Sequence, residues 1–543
     1  MKKRLIPLLA AAAMLAGCAG SDTSSSQQSS SSAAESSQAD SSKAESSQAD
    51  SSSAENVRSS DALAADVMPV LAIETEKQGS DALDFATKPV ARHVAENIAS
   101  WTPGYQIPDE PYYEQCSITV TGTDGTKSLD SVGAQVKVRG NWTTTYDKKP
   151  LRIKFDEKQS LLGLNGGNEF KNWVLLAEYK DGSMLRNKAA FDISNDILGR
   201  DGLYASDSQL VEVTINGEYF GVYLLCEYSQ VNKNRIDITK PDEGYEGTDI
   251  GYFLEFDGYY SNEDKLHGFK VGYNGDAKLT PYDGEGGGRQ QSPLSGGRNS
   301  VGITIKSDIY SQAQHDFIAG FVDNVYNIMY HAAYDNKAYV FDDDFSEIHE
   351  TSSLTPQQAV EKVVDVDSLA DMYIISELTC DADLYWSSFF MYADFGEGGS
   401  NKLTFANPWD FDSALGNKER CEDGTGYYAA NTLYDVNNSY TTINPWLAVL
   451  MYQDWYTDII KTKWKAAYNS GIFDKTVKMI TDSADSLAPA FERNYDRWDN
   501  IRRNQAANEL SRSAAACKTQ AECAAYLAEW LKKRVEFMNG CWN

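Results

Sequence analysis

Asp381-Ala-Asp-Leu-Tyr-Trp-Ser-Ser-Phe-Phe-Met-Tyr392, answered by Phe405-Ala-Asn-Pro-Trp-Asp-Phe-Asp-Ser-Ala-Leu-Gly416, is the stretch on which the reading of the fold turns. Each half sets acidic residues beside aromatic and apolar ones. Phe389 to Tyr392 and Leu403 to Phe405 read as two short strands, which places Asp381, Asp383, Asp410 and Asp412 at strand ends and turns. Carboxylates gathered on such a hairpin suit a divalent cation and a polyphosphate. Carboxylates in apolar surroundings can equally be structural, and spacing alone leaves both readings open.

Working outward, Asp365 to Leu378 reads as a helix with Leu369, Met372 and Tyr373 on one face, although Ser376 interrupts the stripe. This helix would deliver Asp381 and Asp383 to the hairpin. Upstream, Ser117–Thr121, Ala134–Arg139, Leu151–Phe155 and Trp173–Ala177 read as strands. Asn216-Gly217 joins Val211–Ile215 to a strand from Tyr219 to Glu227, an Asn-Gly connection being a strong hairpin signal. Between these pairs, Met184 to Ile197 reads as a helix with Ser183 as N-cap and Leu185, Ala189, Ile193 and Ile197 facing the core. The polar loop from Gly140 to Lys149 reads either as a surface hairpin or as a loop that closes over phosphates. Asp283-Gly-Glu-Gly-Gly-Gly-Arg289 lacks a GK[ST] ending and a following helix, so it reads as a flexible surface loop. Residues 251–257 begin a second unit, and residues 311–334, 446–470 and 475–540 carry helical patterns.

Asp383 followed five positions later by Ser388, then a strand, a turn and Trp409-Asp410-Phe411-Asp412 with Gly416, resembles the signature of the CotH kinase family, a group of atypical protein kinases. The likeness continues upstream through Arg139-Gly-Asn-Trp142, Lys148-Lys-Pro150, Asn172-Trp-Val-Leu-Leu176, Ser183-Met-Leu-Arg-Asn187 and Asn216 to Glu227. It implies an α+β, two-lobed atypical protein-kinase-like fold over residues 66–470, with an N-terminal antiparallel sheet lobe and a mainly helical C-terminal lobe. Residues 471–543 would form a helical extension packed on that domain. By the same resemblance, Asp383 is the catalytic aspartate that orients the attacking hydroxyl and accepts its proton. Asp410, Asp412 and Ser388 would hold Mg²⁺ or Mn²⁺. Arg139, Lys149 (with Lys154 as an alternative) and Arg186 would bind the phosphates of ATP, and the backbone around Glu227 would meet adenine. The sequence departs from the family twice. Ser388 stands where many relatives have Asn, and a serine hydroxyl is the shorter and poorer ligand. Asp381 stands where relatives often have Asn, which adds a charge beside Asp383. A counterpart of the Lys–Glu ion pair of ordinary kinases is not evident.

Composition adds bounds. The net charge of −30 argues against non-specific nucleic-acid binding and favours basic partners. Lys2-Lys-Arg4 precedes an apolar run from Leu5 to Ala16, too short to span a bilayer as a mature helix, and so reads as a secretory signal. Leu15-Ala-Gly-Cys18 resembles a bacterial lipobox, which makes residues 1–18 a lipoprotein signal peptide and Cys18 the lipidation site. Residues 19–60 repeat Ser-Ser-Gln-Ala-Asp and close variants, too poor in apolar surface to order themselves, and read as a disordered tether. The expected location is the bacterial cell surface, anchored by lipid to the outer face of the cytoplasmic membrane. The acid-flanked serines are either plain linker or substrates of the protein's own kinase domain. Cysteines 116, 226, 380, 421, 517, 523 and 541 show no zinc spacing, though Cys517 and Cys523 could close a small loop. The 5 histidines are scattered, which disfavours a His-based metal site or a Ser-His-Asp triad.

The resemblance, with the signal sequence, implies an atypical kinase that transfers the γ-phosphate of ATP to Ser or Thr of exported or cell-surface proteins, with the chain itself among the candidate substrates. The alternative is a catalytically weak or inactive surface protein acting in adhesion or cell-envelope binding. Nucleotidyl transfer on the same scaffold is a third reading.

Overall fold

Along β4 (Leu151–Gln159), Leu151, Ile153 and Phe155 are buried while Lys154 is exposed. This period-two burial recurs in β2 (Glu114–Thr121) and the second half of β3 (Lys127–Val138), while β1 (Val70–Thr75), β5 (Phe170–Leu176), β6 (Ser208–Ile215) and β7 (Glu218–Glu227) are buried mostly on both faces. The inward residues of these strands, among them Leu71, Ile118, Val136, Ile153, Trp173 and Tyr223, form one core. The computed structural model describes residues 67–286, 288–294, 301–435 and 440–543, so the signal and tether segments and Cys18 lie outside the described residues.

The seven strands close into a barrel in the order β1-β2-β3-β4-β5-β7-β6. Every pairing is antiparallel except β1 with β6, the contact that closes it. The expected antiparallel N-terminal sheet is therefore a closed barrel with one parallel seam, and closure removes the free edges that an open sheet would leave. The β6–β7 hairpin turns at Asn216 and Gly217, whose φ values of +53° and +76° are the left-handed pair that an Asn-Gly turn supplies.

A second sheet follows, in the order β14-β13-β8-β10-β9: β8 (Gly251–Asp257), β9 (Gly268–Phe269), β10 (Gly302–Ile305), β13 (Phe389–Asp394) and β14 (Thr404–Phe405). Met391 pairs with Phe405 as expected of the hairpin, but β13 also pairs with β8 along its whole length, Phe389 opposite Phe256 and Asp394 opposite Gly251. The C-terminal part is thus less purely helical than expected. The two strands at the sheet's edges are two residues long, too short to leave an alternating pattern.

Helices fill the remaining core. α1 (Arg92–Trp101) lies beside the barrel. α2 (Arg186–Gly199), α3 (Gln312–Tyr330), α4 (Pro356–Val363), α5 (Val366–Thr379), α6 (Asp454–Asn469), α7 (Ile472–Ser486), α8 (Ala488–Trp498) and α9 (Gln520–Trp542) share a second, larger core. α5 is buried on nearly every side, which explains why Ser376 could interrupt its stripe: a helix surrounded by protein needs no single apolar face. β7 likewise serves two cores, Tyr223 and Leu225 facing the barrel and Val222, Leu224 and Cys226 facing the helices. α8 crosses β7 at Gly221 (φ +130°), where a Cβ would lie 2.8 Å from both Asn494 Oδ1 and Trp498 Nε1. Only glycine permits that approach. The result is an α+β protein, and none of its described helices is long and apolar enough to cross a membrane.

Candidate active site

Three carboxylates meet where the barrel faces the second sheet. Asp383 opens a short 3-10 turn (Asp383–Tyr385) between α5 and β13, and its amide donates to Asp381 Oδ1 at 2.9 Å. Asp410, in the left-handed region at φ +71°, precedes the turn Phe411–Ser413 that follows β14 and carries Asp412. The amide of Phe411 donates to Asn187 Oδ1 at 2.9 Å, tying this turn to α2. One carboxylate oxygen from each of Asp383, Asp410 and Asp412 lies within 4.8 Å of the others.

Such crowding of like charge is costly unless a proton or cation sits among the oxygens. Burial, then the charges of Asp412 and Asp383, holds the Asp410 carboxyl well above the usual carboxylate range, against Arg139 and Lys180. Burial also raises Asp412, with Lys180 opposing. An all-oxygen, multiply charged donor set of this kind fits a hard divalent cation. Burial and neighbouring Asp383 push Asp381 well above its ordinary range as well. This favours its uncharged form.

The cluster lines a cleft of about 430 Å³ together with Arg139, Lys148, Glu178, Lys180, Asn187, Glu255 and Lys306. Arg139 directly follows β3 and stacks over Trp409 at 5.6 Å. Lys180 Nζ lies 3.6 Å from Asp412 Oδ1 and 3.1 Å from Glu509 Oε2 and also bonds Ser413 Oγ. Glu178 accepts from Asn187 at 3.0 and 3.2 Å, and burial raises its carboxyl to about 8. On the opposite wall, Glu255 accepts the Ser388 amide at 3.1 Å and pairs with Lys306 at 3.0 Å. Ser388 itself lines the cleft.

Two of the residues expected to touch nucleotide, Arg186 and Lys149, are placed elsewhere. Arg186 is fully buried, ion-paired with Asp181 and bonded to the Leu415 carbonyl at 3.3 Å, and does not line the cleft. The residue of α2 that faces the cleft is its neighbour Asn187. Lys149 turns back to the Thr144 carbonyl, whereas Lys148 lines the cleft and reaches Ala177 O at 2.8 Å and Asn494 Oδ1 at 2.9 Å. Burial lowers the Lys148 ammonium to about 7 and Lys149 to about 8. Around Glu227, Tyr228 and Ser229 line the cleft, while the Glu227 side chain itself is buried against Arg235 at 2.9 Å and the Asp207 amide at 3.0 Å. Lys180, Glu178, Glu255, Lys306 and Glu509 were not foreseen. Each is a charged residue in an unremarkable turn or strand, and only the Lys148-Lys149 and Arg186-Asn187 pairs carried a signal, read one residue off.

A closed barrel set against a second sheet, with a carboxylate cluster that could hold a metal ion and basic side chains in the cleft between, defines an α+β protein with a charged, cation-ready cleft. The family described as CotH kinase protein matches residues 136–538, and the chain belongs to the CotH kinase family. No curated protein matches the chain.

Proposed function

We propose that this chain is an atypical protein kinase of the exported kind, transferring the γ-phosphate of ATP to Ser or Thr of surface proteins. The observation that carries the reading is the meeting of Asp383, Asp410 and Asp412 within 4.8 Å in a cleft of a CotH-family chain. The barrel and the second sheet with its helices act as two lobes around that cleft. Asp383 orients the substrate hydroxyl and takes its proton, while Asp410 and Asp412, with Ser388 at the margin, hold Mg²⁺ or Mn²⁺. The cation, when bound, offsets charge on the phosphates. Arg139 and Lys180 provide positive charge for the phosphates from the barrel side. The chain around Glu227, at Tyr228 and Ser229, faces the nucleotide base. Cys18 carries the lipid, and the tether of residues 19–60 holds the kinase off the outer face of the membrane.

The test is transfer of labelled γ-phosphate from ATP to the purified chain and to a basic protein, with Mg²⁺ and with Mn²⁺. Asp383→Ala and Asp410→Ala serve as controls. Label on the wild type and on neither variant is the expected result. Absence of both transfer and metal-dependent ATP binding would overturn the proposal in favour of an adhesion or envelope-binding role.

A further inference from the structure

The loop Gly140–Lys149, which forms one wall of the cleft, is held from outside the barrel. A single carboxylate, Glu509, collects two of its side chains: Trp142 Nε1 donates to Glu509 Oε1 at 3.3 Å and Tyr146 OH donates to the same oxygen at 3.2 Å. The other oxygen, Oε2, faces Lys180 at 3.1 Å. Four residues earlier, Gln505 grips the loop backbone: the Asp147 amide donates to Gln505 Oε1 at 2.7 Å, and Gln505 Nε2 donates to Asp147 Oδ1 at 3.1 Å. Tyr146 stacks on Tyr179 with ring centroids 5.4 Å apart, and these two with Ala506 and Trp142 form a small apolar cluster separate from both main cores. The contact is therefore a local one.

We propose that residues 505–509 are a latch that fastens the 140–149 loop over the cleft, with Glu509 as the positioning residue that sets both the loop and Lys180. The second half of this statement rests on the kinase reading of the site, while the latch itself does not. Lys180 is shared between Asp412 at 3.6 Å and Glu509 at 3.1 Å. Without the Glu509 charge, the ammonium has one strong partner left, the carboxylate cluster. It would settle on Asp412 and compete with a cation for that oxygen. Glu509 thus keeps Lys180 drawn off the cluster and available to a phosphate, a role for which no acidic helix residue was evident in the sequence. An acid that arrives from the chain's C-terminal part also makes the cleft dependent on that segment being docked.

Two substitutions in the full chain separate the two duties. Glu509→Gln keeps an acceptor for Trp142 and Tyr146 but removes the charge facing Lys180. Glu509→Ala removes both. In the nucleotide-free protein, amide hydrogen exchange of residues 140–149 is expected to rise about tenfold or more in Glu509→Ala and to change little in Glu509→Gln. The Mn²⁺ concentration giving half of the maximal thermal stabilisation is expected to rise in both, by about tenfold. With ATP, KM is expected to rise about tenfold in Glu509→Gln, more than kcat falls. Exchange in Glu509→Ala within twofold of wild type overturns the latch, whatever the activity. Unchanged Mn²⁺ dependence and KM in Glu509→Gln, beside an active wild type, overturn the positioning of Lys180. A wild type that binds no ATP with Mn²⁺ refutes the kinase reading instead and leaves the exchange result to decide the latch. Should Glu509→Ala lose its cooperative melt, Gln505→Ala replaces it, with the same exchange readout and the same twofold criterion.

Discussion

Ser388 has φ +61°, a left-handed conformation that an ordinary side chain adopts at a cost and that asparagine tolerates better. Its amide donates to Glu255, so the conformation is part of how the cleft wall is built. Serine at this position is therefore both a short candidate ligand and a costly backbone residue. Ser388→Asn is expected to raise stability by about 0.5 kcal/mol and to lower the Mn²⁺ concentration needed for thermal stabilisation. Urea melts with and without Mn²⁺ check both effects. Glu178 makes a pH prediction. Its folded carboxyl lies near 8 against 4.5 ordinarily, mainly through burial and the charge of Asp181. The folded state then binds more protons than the unfolded across that window, so stability falls as pH rises through it. Asp257, raised to about 7 by burial and Glu255, and Asp371, raised to about 8 by burial, act in the same sense. In metal-free protein, Glu178→Gln is expected to flatten the fall in melting temperature between about pH 5 and 7 without abolishing it.

At the scale of elements, the start of α2 shows how a cap and an ion pair combine. Ser183 was the expected N-cap, and its hydroxyl accepts the Leu185 amide at 3.2 Å. The carboxylate of Asp181 takes more of the first amides, from Ser183 at 2.8 Å, Leu185 at 3.0 Å and Arg186 at 2.8 Å. The helix accordingly begins at Arg186, two residues later than its apolar spacing suggested. The same carboxylate pairs with the Arg186 guanidinium, both groups fully buried. Removing one partner leaves the other as an uncompensated buried charge, so Asp181→Ala is expected to cost about 3 kcal/mol or more. Because α2 also carries Asn187 to the Phe411 amide, the cost should be accompanied by weaker metal binding at Asp410. Equilibrium urea unfolding, paired with Mn²⁺ titration, measures the two.

At the scale of the whole molecule, the helices after residue 487 belong to the core that supports the cleft. Asn494 on α8 accepts from the Val222 amide of the barrel at 3.1 Å and from Lys148 at 2.9 Å. Arg534 on α9 forms a buried pair with Glu377 of α5 at 2.5 Å. Trp530 lies against Gly416, where an added Cβ would come within 2.6 Å of its ring. A chain ending at Leu487 is expected to lose its cooperative thermal transition and to bind a dye specific for exposed apolar surface, because buried Glu377 loses its Arg534 counter-charge and the β7 face is uncovered together. A normal melt from that truncated chain would contradict this account of the C-terminal segment.

Periodicity alone determined a good deal. Alternation in Leu151–Phe155, the Asn216-Gly217 turn and the helix before Asp381 were legible because each is written within a few neighbouring residues. The acidic residues Asp383, Asp410 and Asp412 were legible for a related reason, since motif spacing on two adjacent segments already brings them close. What only the tertiary structure decided depends on residues far apart in the chain: the parallel seam of β1 on β6, the pairing of β13 with β8, and the meeting of Lys180 with Glu509. Pairing between distant strands leaves no local pattern. Which of two adjacent residues faces a cleft, Lys148 or Lys149, Arg186 or Asn187, is set by the direction of a loop or the phase of a helix. Those are fixed by what packs against them, in this protein largely by β7, α8 and the turn after β14.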